Sequence, residues 1–202
     1  MSDNANLKSN FQDFKLNDTG IAKKLAAQVI DSSLRVETDF NKVLNTINLQ
    51  DAYSKINKSK FRLVSTIKLA RKLNNHLLLE IDKIPLDFEI PITLNIADKI
   101  LKLFYWVVIN FDSHTINEIE LLGLKEADLL YEEEEGMKSA EEEINSIKDL
   151  QQRESFCNLL LIIKSTFQAD KALIKAIRAS LLASSFVAQR RIEGKQVLFL
   201  YI

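Results

Sequence analysis

Apolar residues recur along most of the chain at three- and four-residue steps, which is the spacing of amphipathic helices rather than strands. From Thr19 the series Ile21, Leu25, Val29, Phe40, Val43, Leu44 and Ile47 predicts a helix over 19–48, with Asp18 and Thr19 as good caps. A hinge near Leu49–Asp51 leads into a second series: Tyr53, Ile56, Leu63, Val64, Ile67, Ala70, Leu73, Leu77, Leu78, Ile81 and Ile84. Neither Gly nor Pro interrupts it before Pro85, so this helix is predicted to reach about thirty residues or more.

Pro85 and Pro91 bracket LDFEI, an extended connector, because each proline pushes the residue before it away from helical geometry. Thr93 can cap the next helix, which is apolar nearly all round from Ile100 to Phe111 and is therefore expected at the centre of the core. A helical turn is predicted around Thr115–Leu122, ending at Gly123. The segment KEADLLYEEEEGMKSAEEEINSIKDL keeps a narrow stripe of Leu130, Met137, Ala140, Ile144 and Ile147, as one solvated helix or a pair broken at Gly136.

From Phe156 the pattern runs through Leu160, Ile163, Phe167, Ile174, Ile177, Leu181, Ala188 and Ile192. It is either one helix or two, with Asp170 as the cap of the second, and Gly194 is expected to end it. That leaves 195–202 as a short tail whose VLFLYI is strand-like in content, while the polar residues 1–17 read as an arm anchored by Phe11, Phe14 and Leu16. Long helices joined by short links bury their stripes by lying antiparallel. The predicted fold is an all-α, elongated antiparallel helical bundle, a single domain over 18–194.

Composition sharpens this picture. In 202 residues there are 4 Gly and 2 Pro, where average usage would give roughly 14 and 10. Sandwiches, barrels and glycine-rich nucleotide-binding folds need turn residues far more often than that. Net charge is −1, but it is unevenly spread: residues 1–110 carry +4, 111–154 carry −10 and 155–202 carry +5. An acidic middle between basic flanks implies internal pairing or separate partners. The single cysteine, Cys157, excludes an intrachain disulfide. No basic-then-apolar leader opens the sequence, and its longest unbroken apolar run within Leu94–Phe111 spans only Leu103–Ile109. The expectation is an intracellular, cytoplasmic protein with no membrane span.

Catalytic chemistry finds little support. His76 and Glu80, and His114 and Glu118, stand four residues apart and so share a helical face, yet the Glu-x-x-His pattern of carboxylate-bridged bundles is absent. A metal-dependent helical enzyme on these four is the weakest reading. Cys157, in SFCNLLLII, is expected to be a small buried hydrophobe. Phosphate-cradling glycine loops and a Gly-x-Ser-x-Gly turn are missing. The glutamate runs 132–135 and 141–143 point in different directions on a helix and read as a solvated face. No catalytic residue, cofactor or metal is assigned.

The basic clusters are more specific. Lys55, Lys58, Lys60, Arg62, Lys68, Arg71 and Lys72 follow one another with no acid between them. In the last helix Lys164, Lys171, Lys175 and Arg178 fall within a stripe of about 60° at 100° per residue, which Gln168 and Gln189 extend. Such a stripe can follow an anionic surface, or receive the acidic segment 126–149 of the same or another chain. The leading expectation is a non-catalytic protein–protein interaction module: an adaptor, scaffold subunit or regulator, with homo-oligomers as one form of partner. Its candidate residues are the basic faces at Lys55, Lys58, Arg62, Lys164, Lys171, Lys175 and Arg178. The tail residues Val197, Leu198, Phe199, Leu200 and Tyr201 are candidates for strand addition or groove insertion. The alternative is a nucleic-acid-associated regulator using the faces at 55–72 and 164–178.

Overall fold

A computed structural model describes residues 19–84 and 135–200, with side chains as far as Gly194. Among the described residues the protein is all-α: 92% are helical, none lies in a strand, and the four helices pack against one another as a bundle. They are α1 (Thr19–Leu44), α2 (Leu49–Ile81), α3 (135–146) and α4 (Leu150–Leu200). The arm 1–17, the connector at Pro85–Pro91, the expected central helix Ile100–Phe111 and the turn at Thr115–Leu122 lie outside the described residues.

Side-chain caps set the helix boundaries. The turn between α1 and α2 occupies 45–48, slightly before the predicted hinge, because Asn48 begins α2: its Oδ1 accepts the backbone N–H groups of Gln50 (2.8 Å) and Asp51 (3.1 Å). Asp149 does the same for α4, accepting the N–H of Gln152 at 3.0 Å. The helix α2 ends at Ile81, and Ile84 N–H donates to the Ile81 carbonyl at 3.0 Å just ahead of Pro85. One glycine assignment is corrected: α4 passes through Gly194 to Leu200 as one helix of 51 residues. Gly136 is helical in α3, and the residues before 135 lie outside the described set. Neither Gly136 nor Gly194 has a positive φ, so neither adopts the left-handed turn that stops a helix. Asp170 caps nothing; it sits fully buried within α4.

The chain forms two compact units. Of the described residues, 19–26, 71–84 and 135–168 belong to the first and 27–70 and 169–200 to the second. The core of the first is Ala22, Leu73, Leu77, Ile144, Phe156, Leu159, Ile163 and Phe167. There α3 and α4 form an antiparallel hairpin across the 147–149 turn, with Glu141 of α3 ion-paired to Lys164 of α4. The core of the second is Val29, Val36, Phe40, Val43, Ile56, Leu63, Leu173, Ile177 and Val187. Each such large side chain contributes about 1.5–3 kcal/mol when fully buried.

Within the second unit, cross-links between α1 and α2 fix their antiparallel register, since partners rise along α1 as they fall along α2. Ser32 Oγ lies 2.6 Å from Thr66 Oγ1. Thr66 donates its own hydrogen to the Arg62 carbonyl (3.0 Å), so Ser32 is the donor of that pair. Further along, Arg62 pairs with Asp39, and Lys55 Nζ donates to Thr46 Oγ1 at 3.1 Å.

One helix, α4 over Leu150–Gly194, is long and apolar enough by length and composition to cross a membrane. Phe156, Leu160, Phe167 and Leu173 of this helix are buried in the bundle, 39% of its most apolar 18-residue stretch is buried, and Lys164, Lys171, Lys175 and Arg178 lie along its length.

Candidate interaction faces

The solvent face of α2 in the second unit is built from the residues left over when its apolar stripe is buried. Ala52, Ile56, Ser59, Leu63, Thr66 and Ile67 are buried; Ser54, Asn57, Lys58, Phe61, Val64, Ser65 and Lys68 are exposed. At 100° per residue, Lys58, Phe61, Val64, Ser65 and Lys68 fall within about 120° of one another. Phe61, 77% exposed, stands at the middle of this face, with Val64 beside it and lysines at both ends. Phe61 escaped the sequence analysis because it falls outside the apolar periodicity. That mismatch was the available signal: a large aromatic out of phase with its helix's stripe points to solvent.

Not every predicted cation is equally available. Arg62 pairs with Asp39, and Lys55 is hydrogen-bonded to Thr46, so both help join α2 to α1. Lys58 is exposed, as are Lys60 and Lys68. On α4 the predicted stripe divides. Lys164 pairs with Glu141, which makes the acidic segment of the same chain its partner. Lys171 is half-buried and, like Arg178, engaged by other groups, while Lys175 and Arg178 are exposed. One turn beyond Arg178 on that face, Leu182 is 63% exposed. An exposed apolar side chain among exposed cations therefore recurs on two helices of the same unit.

Counted by unit, the charge is strongly segregated. Residues 27–70 and 169–202 hold thirteen Lys and Arg against six Asp and Glu, a net +7. The remainder of the chain holds fourteen against twenty-two, a net −8. The end of the basic unit at the α1–α2 turn is fixed by Arg190 of α4, whose two terminal nitrogens donate to the carbonyls of Thr46 and Ile47, each at 2.7 Å. The same guanidinium lies over the Phe186 ring, 5.5 Å from its centroid.

The other sequence candidates fare differently. For the tail, the backbone of Val197, Leu198, Phe199 and Leu200 is helical, which is not the extended form that strand addition uses; their side chains, and Tyr201, lie outside the described set. Cys157 is exposed rather than buried, because it falls just outside the core positions Phe156, Leu159 and Leu160. His76 is half-buried, and the neighbouring Glu80 is buried and paired with Lys83 across one turn. His114 and Glu118 lie outside the described residues, and among those described no three His, Cys, Asp or Glu side chains gather where a metal could bind. No family model, curated protein or solved structure matches this chain.

Proposed function

We propose that the protein is a non-catalytic interaction module, an adaptor, scaffold subunit or regulator that works through the outward faces of its helices. The observation that supports this best is the α2 face: a phenylalanine 77% exposed at its centre, with exposed Lys58 and Lys68 at its ends. Burying such a ring stabilises a contact by about 1.5–3 kcal/mol, a gain forgone while it stands in water. Aromatic anchors ringed by charge are where binding energy concentrates in protein interfaces.

Nucleic-acid association is the second reading, favoured by the net +7 of the basic unit and the exposed Lys175 and Arg178. The crown of the α2 face weighs against it, since Phe61 and Val64 offer nothing to phosphates, and single-strand binders pair aromatics with a groove rather than a convex ridge. Affinity capture from the native cell, with and without nuclease, separates the two. Stoichiometric protein partners that survive nuclease are expected. Partners that vanish with nuclease would overturn the interaction-module reading in favour of nucleic acid.

A further inference from the structure

We infer that the basic face of α2 is a self-association surface, and that its occupant is the acidic part of a second copy of this chain. The inference rests on the interaction-module reading and names its partner. The first support is charge complementarity within one sequence. The unit carrying the face has a net +7 and the rest of the chain a net −8, so a second copy brings the opposite charge in nearly equal amount. The acids concentrate in residues 111–154, which alone carry −10.

The second support is that no described residue covers these cations. Among the described residues Lys58, Phe61, Val64 and Lys68 are exposed, and no acid occurs from Ala52 to Leu79 on this helix. Where the chain does bring its own acids to its cations it makes direct pairs, as Glu141 does with Lys164 and Asp39 with Arg62. The same lysine–glutamate chemistry is available between copies. Phe61 and Val64 supply the apolar centre that gives such a contact lifetime, while the surrounding charge sets its partner and speeds encounter. The contact joins unlike surfaces, basic on one copy and acidic on the other. It therefore differs from a patch that packs against itself.

Sedimentation velocity of the full chain over about 1–200 μM, in 0.1 and 1 M NaCl, tests this. Screening length falls from about 10 Å to about 3 Å across that range, so self-association at 0.1 M is expected to weaken ~10-fold or more at 1 M. Lys58→Glu with Lys68→Glu should abolish it, and Phe61→Ser should weaken it ~10-fold, the scale of an interface anchor. Circular dichroism and melting temperature of each variant should match the wild type, because all three positions are exposed. The decisive arm mixes a fluorescently labelled double variant with unlabelled wild type. The variant's acidic part is intact, so the wild-type basic face should bind it and the label should sediment faster. A labelled variant that ignores the wild type overturns the unlike-surface contact, as does association indifferent to salt. A chain that stays monomeric at 0.1 M overturns self-association altogether, while leaving a different protein partner for the same face to be read from the capture experiment.

Discussion

Arg190 ties the last third of α4 to the α1–α2 turn, and its replacement offers a calculable test of that arrangement. The guanidinium donates to two carbonyls, Thr46 and Ile47, at 2.7 Å each. Hydrogen bonds from charged groups are worth about 1.5–3 kcal/mol when desolvated. Ile47, however, is 89% exposed at the turn, so water can take the vacated carbonyl sites and the lower end, or a little less, applies. Two bonds at about 1 kcal/mol each, with about 0.5 kcal/mol for the guanidinium over Phe186, give about 2–3 kcal/mol for Arg190→Ala. In a chain of this length each kcal/mol moves the melting temperature by about 2–4 °C, so a drop of about 4–12 °C is expected. Arg190→Lys should recover no more than half, since one ammonium on a flexible stem cannot reproduce a fork that spans two carbonyls. Thermal and urea unfolding give the global value, and amide exchange over residues 45–52 gives the local one. A loss below about 0.5 kcal/mol for Arg190→Ala would refute the reasoning, as would a lysine as good as arginine.

Four further expectations follow from the same structure. Gly194→Ala should stabilise the protein slightly, by up to about 1 kcal/mol, because the position is helical with nothing within 4 Å of the added Cβ; a loss in urea unfolding would mean the helix stops there after all. Asn48→Ala should cost about 1 kcal/mol through loss of the α2 cap, with faster amide exchange at Gln50 and Asp51. Phe167→Ala, at a site with no exposure, should cost about 3–5 kcal/mol, read from chemical denaturation. A double-mutant cycle on Lys164 and Glu141 should return no more than about 1 kcal/mol, since both side chains are substantially exposed, and most of that should vanish in 1 M salt.

Periodicity made the helices legible. The helical course of α1, the unbroken run of α2 and the burial of Val29, Phe40, Leu63, Leu73, Leu77 and Phe167 all follow from apolar spacing in a chain nearly free of Gly and Pro. It misled where an apolar residue fell in phase but outside the packing. Ile47 sits in the turn, Val64 slips to the edge of the α2 stripe, and Ile192 is 57% exposed. Glycine was the second source of error. Gly194 looked like a stop, yet a glycine costs a helix only about 1 kcal/mol and the neighbouring turns carry it through. The true boundaries were written in Asn48 and Asp149, whose side chains serve the backbone two or three residues ahead.

The candidate faces were legible only in part. Sequence located the lysines but could not say which were already engaged: Lys164 with Glu141 and Arg62 with Asp39 are pairings between residues 23 apart in the chain. Phe61 could have been singled out by its mismatch with the α2 stripe, but its exposure among lysines is seen only once the opposite face is buried. The +7 and −8 division likewise follows unit boundaries that cut across α1, α2 and α4, so counting charge in linear blocks blurred it.

The most direct test of the central claim compares captures from the native cell. One uses the wild type and the other Phe61→Ser combined with Lys58→Glu and Lys68→Glu, both after nuclease and both quantified against bait. The account predicts stoichiometric protein recovered with the wild type, a second copy included, and lost with the variant while the variant itself remains folded. Equal recovery of the same proteins by both chains would contradict it, because the face held responsible would then be binding nothing.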